Sequence, residues 1–226
     1  MSNISDNIEV VRRKINEAAL RAGRNPDEIT LIAVSKTVGK EEILDAYENA
    51  GQMVFGENRV QDLVSKYDEN FKWHLIGHLQ KNKIKYVIDK TCLIHSVDSV
   101  ELMDELERYA LKFSVQVDFL LQVNVSGEKS KFGVRPDEIF EIVTKMSQYR
   151  NIRLKGLMTM APNITDVDKV RGIFKLLSSI YIDINSENYH NVSMQYLSMG
   201  MSNDYEVAIE EGANLVRVGT AIFTKV

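Results

Sequence analysis

The sequence predicts an α/β protein, a (β/α)8 TIM barrel formed by a single domain that spans residues 1–226. Three observations favour this fold. Eight short apolar runs alternate with helical patterns along the chain, which is typical of a parallel sheet. The length of 226 residues suits a compact barrel of eight such units. No GxGxxG or Walker motif occurs, although the alternative, a doubly wound open sheet, would normally bind a nucleotide through such a turn.

The elements follow one another without a linker-like segment. An extra N-terminal helix, with apolar positions spaced from Ile4 to Ile15, precedes the first strand. The stretch NDYE predicts a later helix start, capped by Asn203 with Glu206 three residues on. The eight strand candidates are Thr30–Lys36, Met53–Glu57, Trp73–His78, Cys92–Val97, Val117–Val125, Arg153–Met160, Gln195–Gly200 and Leu215–Gly219.

The composition excludes several classes of protein. Hydrophobic residues make up 44% of the chain and charged residues 27%, and the formal net charge of −4 argues against a nucleic-acid partner. No apolar run is long enough to span a membrane, and the N-terminal stretch lacks the apolar core of a signal peptide. We therefore expect a cytoplasmic protein. The single cysteine, Cys92, lies in an apolar stretch and is predicted to be a core residue.

The stretch LIAVSKT places a lysine at the end of the first strand. Strand alternation puts Lys36 on the same side as Ile32 and Val34. Such a lysine usually marks a strand end and reaches water. At the C-terminal end of a barrel strand, where active sites lie, it is also the best candidate for a reactive amine. A semi-apolar pocket would favour the neutral amine, which forms a Schiff base with an aldehyde.

Two other strand ends predict an anion site. Gly200, Ser202 and Asn203 lie between the seventh strand and a helix, and Gly219 and Thr220 follow the eighth strand. Backbone N–H groups at helix starts bind anions, and the loops after strands seven and eight form a recurrent phosphate site in barrels. Ordinary capping and turn formation would account for either loop alone.

A third polar residue lies between these features. Arg217 alternates with Val216 and Val218, so its side chain points away from theirs. A barrel-lining arginine needs a partner, which is either a carboxylate such as Glu57 or a heteroatom of a ligand. An aldehyde for Lys36, a phosphate for the two loops and a heteroatom for the arginine together describe pyridoxal 5′-phosphate (PLP).

The four histidines are weaker candidates. His74 and His78 resemble a zinc-binding pair, but four residues of a strand span about 13 Å, too far for one metal ion. His95 and His190 are isolated in the sequence. The sequence therefore predicts no metal site.

Eight motifs in one order carry a family resemblance that covers nearly the whole chain. They are LIAVSKT (Leu31–Thr37), FGENRVQD (Phe55–Asp62), WHLIGHLQKNK (Trp73–Lys83), HSVDS (His95–Ser99), QVNVSGEKSKFG (Gln122–Gly133), GLMTMAP (Gly156–Pro162), LSMGMSNDYEVAI (Leu197–Ile209) and RVGTAIF (Arg217–Phe223). In these motifs the chain resembles the pyridoxal phosphate homeostasis proteins, the YggS or PROSC family. The ending IFTKV departs from the IFG and basic residue usual in that family.

The resemblance implies a fold similar to the N-terminal barrel of alanine racemase. It also implies that Lys36 holds PLP as a Schiff base and that Arg217 lies near the pyridine nitrogen. Asn58 and Met158 are implied in the ring pocket. The residues implied around the phosphate are Ser198, Met199, Gly200, Ser202, Gly219 and Thr220.

Two functions compete. In the first, the protein carries or buffers PLP and takes part in vitamin B6 and amino-acid homeostasis. In the second, it is a PLP-dependent racemase or related amino-acid enzyme. Racemases of the similar fold take a second acid–base group from a separate C-terminal domain, and the eight strands here use the chain as far as Gly219. The permanent charge of Arg217 would also keep the ring nitrogen unprotonated and weaken the electron sink. We expect a monomeric carrier that has PLP-dependent apo-enzymes as acceptors.

Overall fold

The computed structural model describes residues 3–128, 131–162 and 164–224 and shows a closed barrel of eight parallel strands. Consecutive strands pair in order, and β8 closes the barrel on β1. The predicted (β/α)8 barrel is confirmed. The last two residues of the C-terminal departure, 225 and 226, lie outside the described ranges. The strands are β1 (Thr30–Val34), β2 (Val54–Glu57), β3 (Lys72–Leu75), β4 (Leu93–Val97), β5 (Val117–Gln122), β6 (Ile152–Met158), β7 (Val192–Met201) and β8 (Leu215–Val218).

Helices cover the outside of the barrel. The first precedes β1 as predicted, and the side chain of Asn3 caps it by accepting a hydrogen bond from the Ser5 N–H group. Between β3 and β4 the chain forms a 3₁₀ helix over Lys81–Tyr86. Within the described ranges, no helix combines the length and apolar character needed to cross a membrane. The α-helices are α1 (Ile4–Arg21), α2 (Lys40–Ala50), α3 (Val60–Lys66), α4 (Val100–Phe113), α5 (Ile139–Lys145), α6 (Val167–Asn185), α7 (Tyr205–Glu210) and α8 (Thr220–Phe223).

Two apolar regions stabilise the fold. The larger lies between strands and helices and includes the fully buried Phe55, Trp73 and Phe119. Fully burying a side chain of this kind contributes roughly 1.5–3 kcal/mol. The strands of a parallel barrel are covered on both faces, so their inward side chains are mostly apolar as well. The smaller region fills the interior of the barrel with Ile32, Leu93, Leu120, Met158 and Leu215.

Two sequence predictions at strand ends are wrong. β1 ends at Val34, so Lys36 lies in the turn after the strand. Cys92 precedes β4 and is exposed, whereas the apolar stretch around it predicted a core residue. In both cases the residue flanks the strand, and its side chain is exposed.

The start of α7 also differs from the prediction. The helix begins at Tyr205 with Asp204 at the capping position, so Asn203 is not the cap. The Asp204 side chain accepts a hydrogen bond from the Met201 N–H group at 2.6 Å, which closes the turn between β7 and α7. The carboxylate therefore stabilises the turn, and the helix starts one residue later than the motif suggested.

Candidate functional site

A cleft of about 440 Å³ opens at the C-terminal ends of the strands. Its volume lies in the range of small-molecule sites, and its position is where barrel proteins place their chemistry. Loops after β1, β2, β6, β7 and β8 contribute its walls. The sequence predictions that line this cleft are Lys36, Asn58, Ser202, Arg217, Gly219 and Thr220.

A larger groove of about 600 Å³ lies beside it, against α1 and α7. Four of its charged side chains form ion pairs: Arg21 with Glu206, and Arg171 with Glu210. These are partly exposed ion pairs, which serve the packing of helices. The smaller cleft is the candidate site, because an amine and a buried arginine open into it.

Hydrogen bonds of the buried Ser35 hold the turn that carries Lys36. Ser35 is fully buried, and its hydroxyl donates to Oε1 of Glu57 at 2.6 Å. The ammonium of Lys66 lies 2.8 Å from both that carboxylate oxygen and the Ser35 carbonyl oxygen. Lys36 itself reaches into the cleft with an exposed side chain, so the cleft does not bury its amine in the predicted semi-apolar pocket. The anchored turn fixes where its amine can reach.

The loops after β7 and β8 meet at the opposite wall. The Gly219 N–H group lies 3.3 Å from Oγ of Ser202, to which it donates. A Cβ atom on Gly219 would lie 3.0 Å from the Val34 carbonyl oxygen, so glycine lets β8 pass close to β1. The first N–H groups of α8, at Thr220 and Ala221, have no acceptor within their own helix. The two predicted loops thus form one surface with free backbone donors.

Arg217 lies at the floor of the cleft, in the barrel interior, and is 4% exposed. Its guanidinium donates to Oγ of Ser198 and, at 2.8 Å, to the carbonyl oxygen of Thr159. Burial lowers the pKa of Arg217 to about 10, and the charge of Asp204 opposes that shift. The side chain stays charged at neutral pH. Glu57 is not its partner, because that carboxylate is bound by Ser35 and Lys66.

Two histidines that were weak candidates from the sequence belong to the same interior. Nδ1 of His74 lies 2.9 Å from Nε2 of His95, and Nδ1 of His95 lies 2.9 Å from Oγ of Ser198. Burial, and secondarily Lys72, lower the pKa of His74 to about 4. Burial also lowers the pKa of His95 well below its ordinary value, so both rings are neutral at pH 7.

A sequence signal for this pair exists. Both histidines stand in largely apolar strand candidates, where a buried polar side chain must find a partner inside the protein. His95 is therefore not isolated. In the described part of the chain, no group of three His, Cys, Asp or Glu side chains is arranged to hold a metal ion.

The other predicted residues lie under or behind the cleft. Met158 is buried in the interior apolar cluster, and Ser198 supports Arg217. Met199 packs into the outer core between barrel and helices, so its side chain does not face the cleft. Gly200 has φ +92°, and a Cβ atom there would lie 2.6 Å from that of Ala208, so glycine lets α7 pack on β7.

Comparisons with known proteins place the chain in a family. A family model described as the N-terminal domain of alanine racemase matches residues 1–225. A pyridoxal phosphate homeostasis protein of Aquifex aeolicus is 42% identical over 225 residues, which cover 98% of this chain and 97% of the relative. The chain belongs to the pyridoxal phosphate homeostasis protein family. The resemblance seen in the motifs is thereby confirmed.

Two solved structures of similar proteins agree with this assignment. A protein from Bifidobacterium adolescentis superimposes with a TM-score of 0.92 at 36% identity, covering 97% of this chain and 94% of the other. PipY of Synechococcus elongatus, solved with PLP bound, gives a TM-score of 0.80 at 33% identity. The superposition covers 93% of this chain and 100% of PipY.

Proposed function

We propose that this protein binds PLP covalently through Lys36 and carries or buffers the cofactor as part of vitamin B6 and amino-acid homeostasis. The observation that carries the proposal is that Lys36, Arg217 and the loops after β7 and β8 all open into one cleft. The family membership and the PLP-bound structure of PipY support it.

The residues present fit PLP group by group. PLP offers an aldehyde, a phosphate and a pyridine nitrogen. The Lys36 amine suits the aldehyde, because a neutral amine adds to an aldehyde carbon and forms a Schiff base with loss of water. The N–H groups near Ser202 and Thr220 suit the phosphate, since backbone donors at a helix start favour an anion. Asn58, which lines the same cleft, is assigned to the ring pocket.

Arg217 is assigned to the pyridine nitrogen. It is the buried cation of the cleft, it carries only donors, and it stays charged at neutral pH. A permanent cation beside the ring nitrogen favours the unprotonated nitrogen. The cofactor supplies an electron sink when bound, and an unprotonated ring is a weaker sink. This arrangement suits storage of PLP better than rapid amino-acid chemistry, so we propose a carrier with PLP-dependent apo-enzymes as acceptors.

Peptide mapping tests the assignment of Lys36. The PLP-loaded protein is reduced with borohydride and digested, and mass spectrometry locates the pyridoxyl group. We expect it on the peptide that contains Lys36. Lys36→Arg should abolish the adduct and the visible imine absorption, whereas Lys40→Arg, a charge-conserving change in the same exposed segment, should keep both. An adduct mainly on Lys40, Lys81 or Lys131 would contradict the proposal.

Turnover of an amino acid tests the carrier against the racemase. The PLP-loaded protein is incubated with L-alanine, and chiral chromatography measures D-alanine. We expect a rate far below the common enzyme range of about 1 per second and faster. A rate inside that range would establish the racemase alternative.

A further inference from the structure

Arg217 is a buried cation whose hydrogen-bond partners are neutral. Among the described residues no carboxylate lies within ion-pair distance of its guanidinium, and its two acceptors, the Ser198 hydroxyl and the Thr159 carbonyl, are uncharged. Buried charges are ordinarily paired, because an unpaired one is poorly solvated. Asp204 acts on Arg217 only through its charge, without a hydrogen bond to it. Its direct hydrogen-bond partners therefore stabilise the cation through neutral dipoles, and the charge of Asp204 adds to this without contact.

Those dipoles extend across the barrel. From the guanidinium on β8, hydrogen bonds run to Ser198 on β7, then to His95 on β4, and then to His74 on β3. Ser198 and His95 are 0% exposed, and His74 is 8% exposed. We call these four residues the interior network.

The number of protons available fixes which group donates and which accepts in each hydrogen bond of the interior network. Arginine can only donate, so Oγ of Ser198 accepts from it. The serine proton then has Nδ1 of His95 as its acceptor. A neutral imidazole carries one proton, so that of His95 lies on Nε2 and is donated to Nδ1 of His74, whose own proton lies on Nε2. The reverse order would leave the serine proton without an acceptor in a fully buried site.

The same direction is favoured by electrostatics. In this order the serine oxygen and the Nδ1 atoms of both rings point toward the guanidinium, and every proton points away from it. Aligned dipoles of this kind solvate a cation without neutralising it. Burial keeps both imidazoles uncharged, so no second positive charge competes with Arg217.

We propose that the interior network positions Arg217 without a hydrogen-bonded carboxylate, so that the ring nitrogen of bound PLP is held unprotonated as a hydrogen-bond acceptor. This inference rests on the proposed function. His95 and His74 are positioning residues here, since they act through Ser198 and Arg217.

Nuclear magnetic resonance tests the interior network without PLP. The protein is labelled with 15N-histidine, and long-range proton–nitrogen correlation shows which ring nitrogen carries the proton; the variants His74→Asn and His95→Asn assign the signals. We expect both rings to be neutral at pH 7, each with its proton on Nε2. A proton on Nδ1 of His95, or a doubly protonated His95, would overturn the proposal.

Binding of PLP with a 15N-labelled ring nitrogen tests the consequence. His95→Leu removes both hydrogen bonds of the imidazole ring. We expect PLP to bind about tenfold more weakly, because the hydrogen bond from the charged Arg217 to the ring nitrogen of PLP loses its alignment. The ring-nitrogen signal should shift toward the protonated form. His95→Asn keeps an acceptor for Ser198 and should restore both properties, and His190→Asn, at an exposed position, should match the wild type.

The outcomes separate the two proposals. If wild-type protein does not bind PLP, the proposed function fails, while the histidine tautomers still show whether Arg217 is held in this way. If wild-type protein binds PLP and His95→Leu keeps both the affinity and the ring-nitrogen signal, the proposed function stands and this inference is overturned. Equal losses in His95→Leu and His95→Asn also overturn it, since a general packing defect would then explain both.

Discussion

Protonation of His74 should make the barrel sensitive to acid. Burial lowers the pKa of this side chain from its ordinary 6.5 to about 4. Between those two values the unfolded chain binds a proton at His74 and the folded protein does not, so stability falls as the pH falls through this window. The perturbation is His74→Asn, which keeps a polar group near the position of Nδ1 and removes the titration.

The size of the effect follows from the shift in pKa. A shift from 6.5 to about 4 corresponds to roughly 3 kcal/mol, at 1.36 kcal/mol per unit. Linkage gives a loss of roughly 2 kcal/mol from His74 alone between pH 7 and pH 4.5. That is a sizeable part of the roughly 5–15 kcal/mol that stabilises a typical domain. His95 shifts in the same direction and adds to the loss.

Urea unfolding at a series of pH values measures the effect. Trp73 is the single tryptophan, is fully buried and precedes His74, so its fluorescence reports the loss of this part of the barrel. Carboxylates titrate in the wild type and in the variant alike, so the difference between the two proteins isolates the histidine. We expect the free energy of unfolding to fall more steeply in the wild type than in His74→Asn between pH 6.5 and 4.5. His190→Asn, at an exposed histidine, serves as the control and should follow the wild type.

Parallel curves for the wild type and His74→Asn would refute the reasoning. They would mean that His74 is solvated or already protonated in the folded protein. The neutral state on which the interior network depends would then be wrong as well.

Two other substitutions test the supports of the cleft. Gly77→Ala would place a Cβ atom 2.2 Å from the carbonyl oxygen of Asn58, so we expect the loop that carries Asn58 to shift. Equilibrium dialysis should then show that PLP binds about tenfold more weakly. An unchanged affinity would contradict the assignment of Asn58 to the ring pocket. Lys66→Met leaves the fully buried Glu57 without its cation, and urea unfolding should show a loss of about 3–5 kcal/mol. Adding Glu57→Gln should recover part of that loss, and no recovery would show that packing rather than charge explains it.

Local sequence patterns were sufficient to predict the architecture. Eight apolar runs of strand length separated by helical spacing lead to a parallel barrel, because strand and helix periods depend on near neighbours in the chain. The same locality placed Lys36, Ser202 and Gly219 at or beside strand ends and Arg217 inside the last strand. These ends meet because a closed parallel barrel brings all C-terminal strand ends to one rim. Strand and helix ends were less accurate, as Lys36 and Asn203 show, since pairing with a neighbouring strand or turn sets them.

The partners inside the barrel were decided by the tertiary structure alone. Glu57 was one candidate partner for Arg217, but the barrel places it outside, with Ser35 and Lys66. His95 looked isolated, yet it contacts Ser198, which is 103 residues away in the sequence. Closing eight strands into a cylinder brings the inward faces of β4 and β7 together across the interior, and no local period encodes which side chains meet there. The sequence determines that a polar residue inside an apolar strand needs a partner, and the closure of the barrel determines which partner it has.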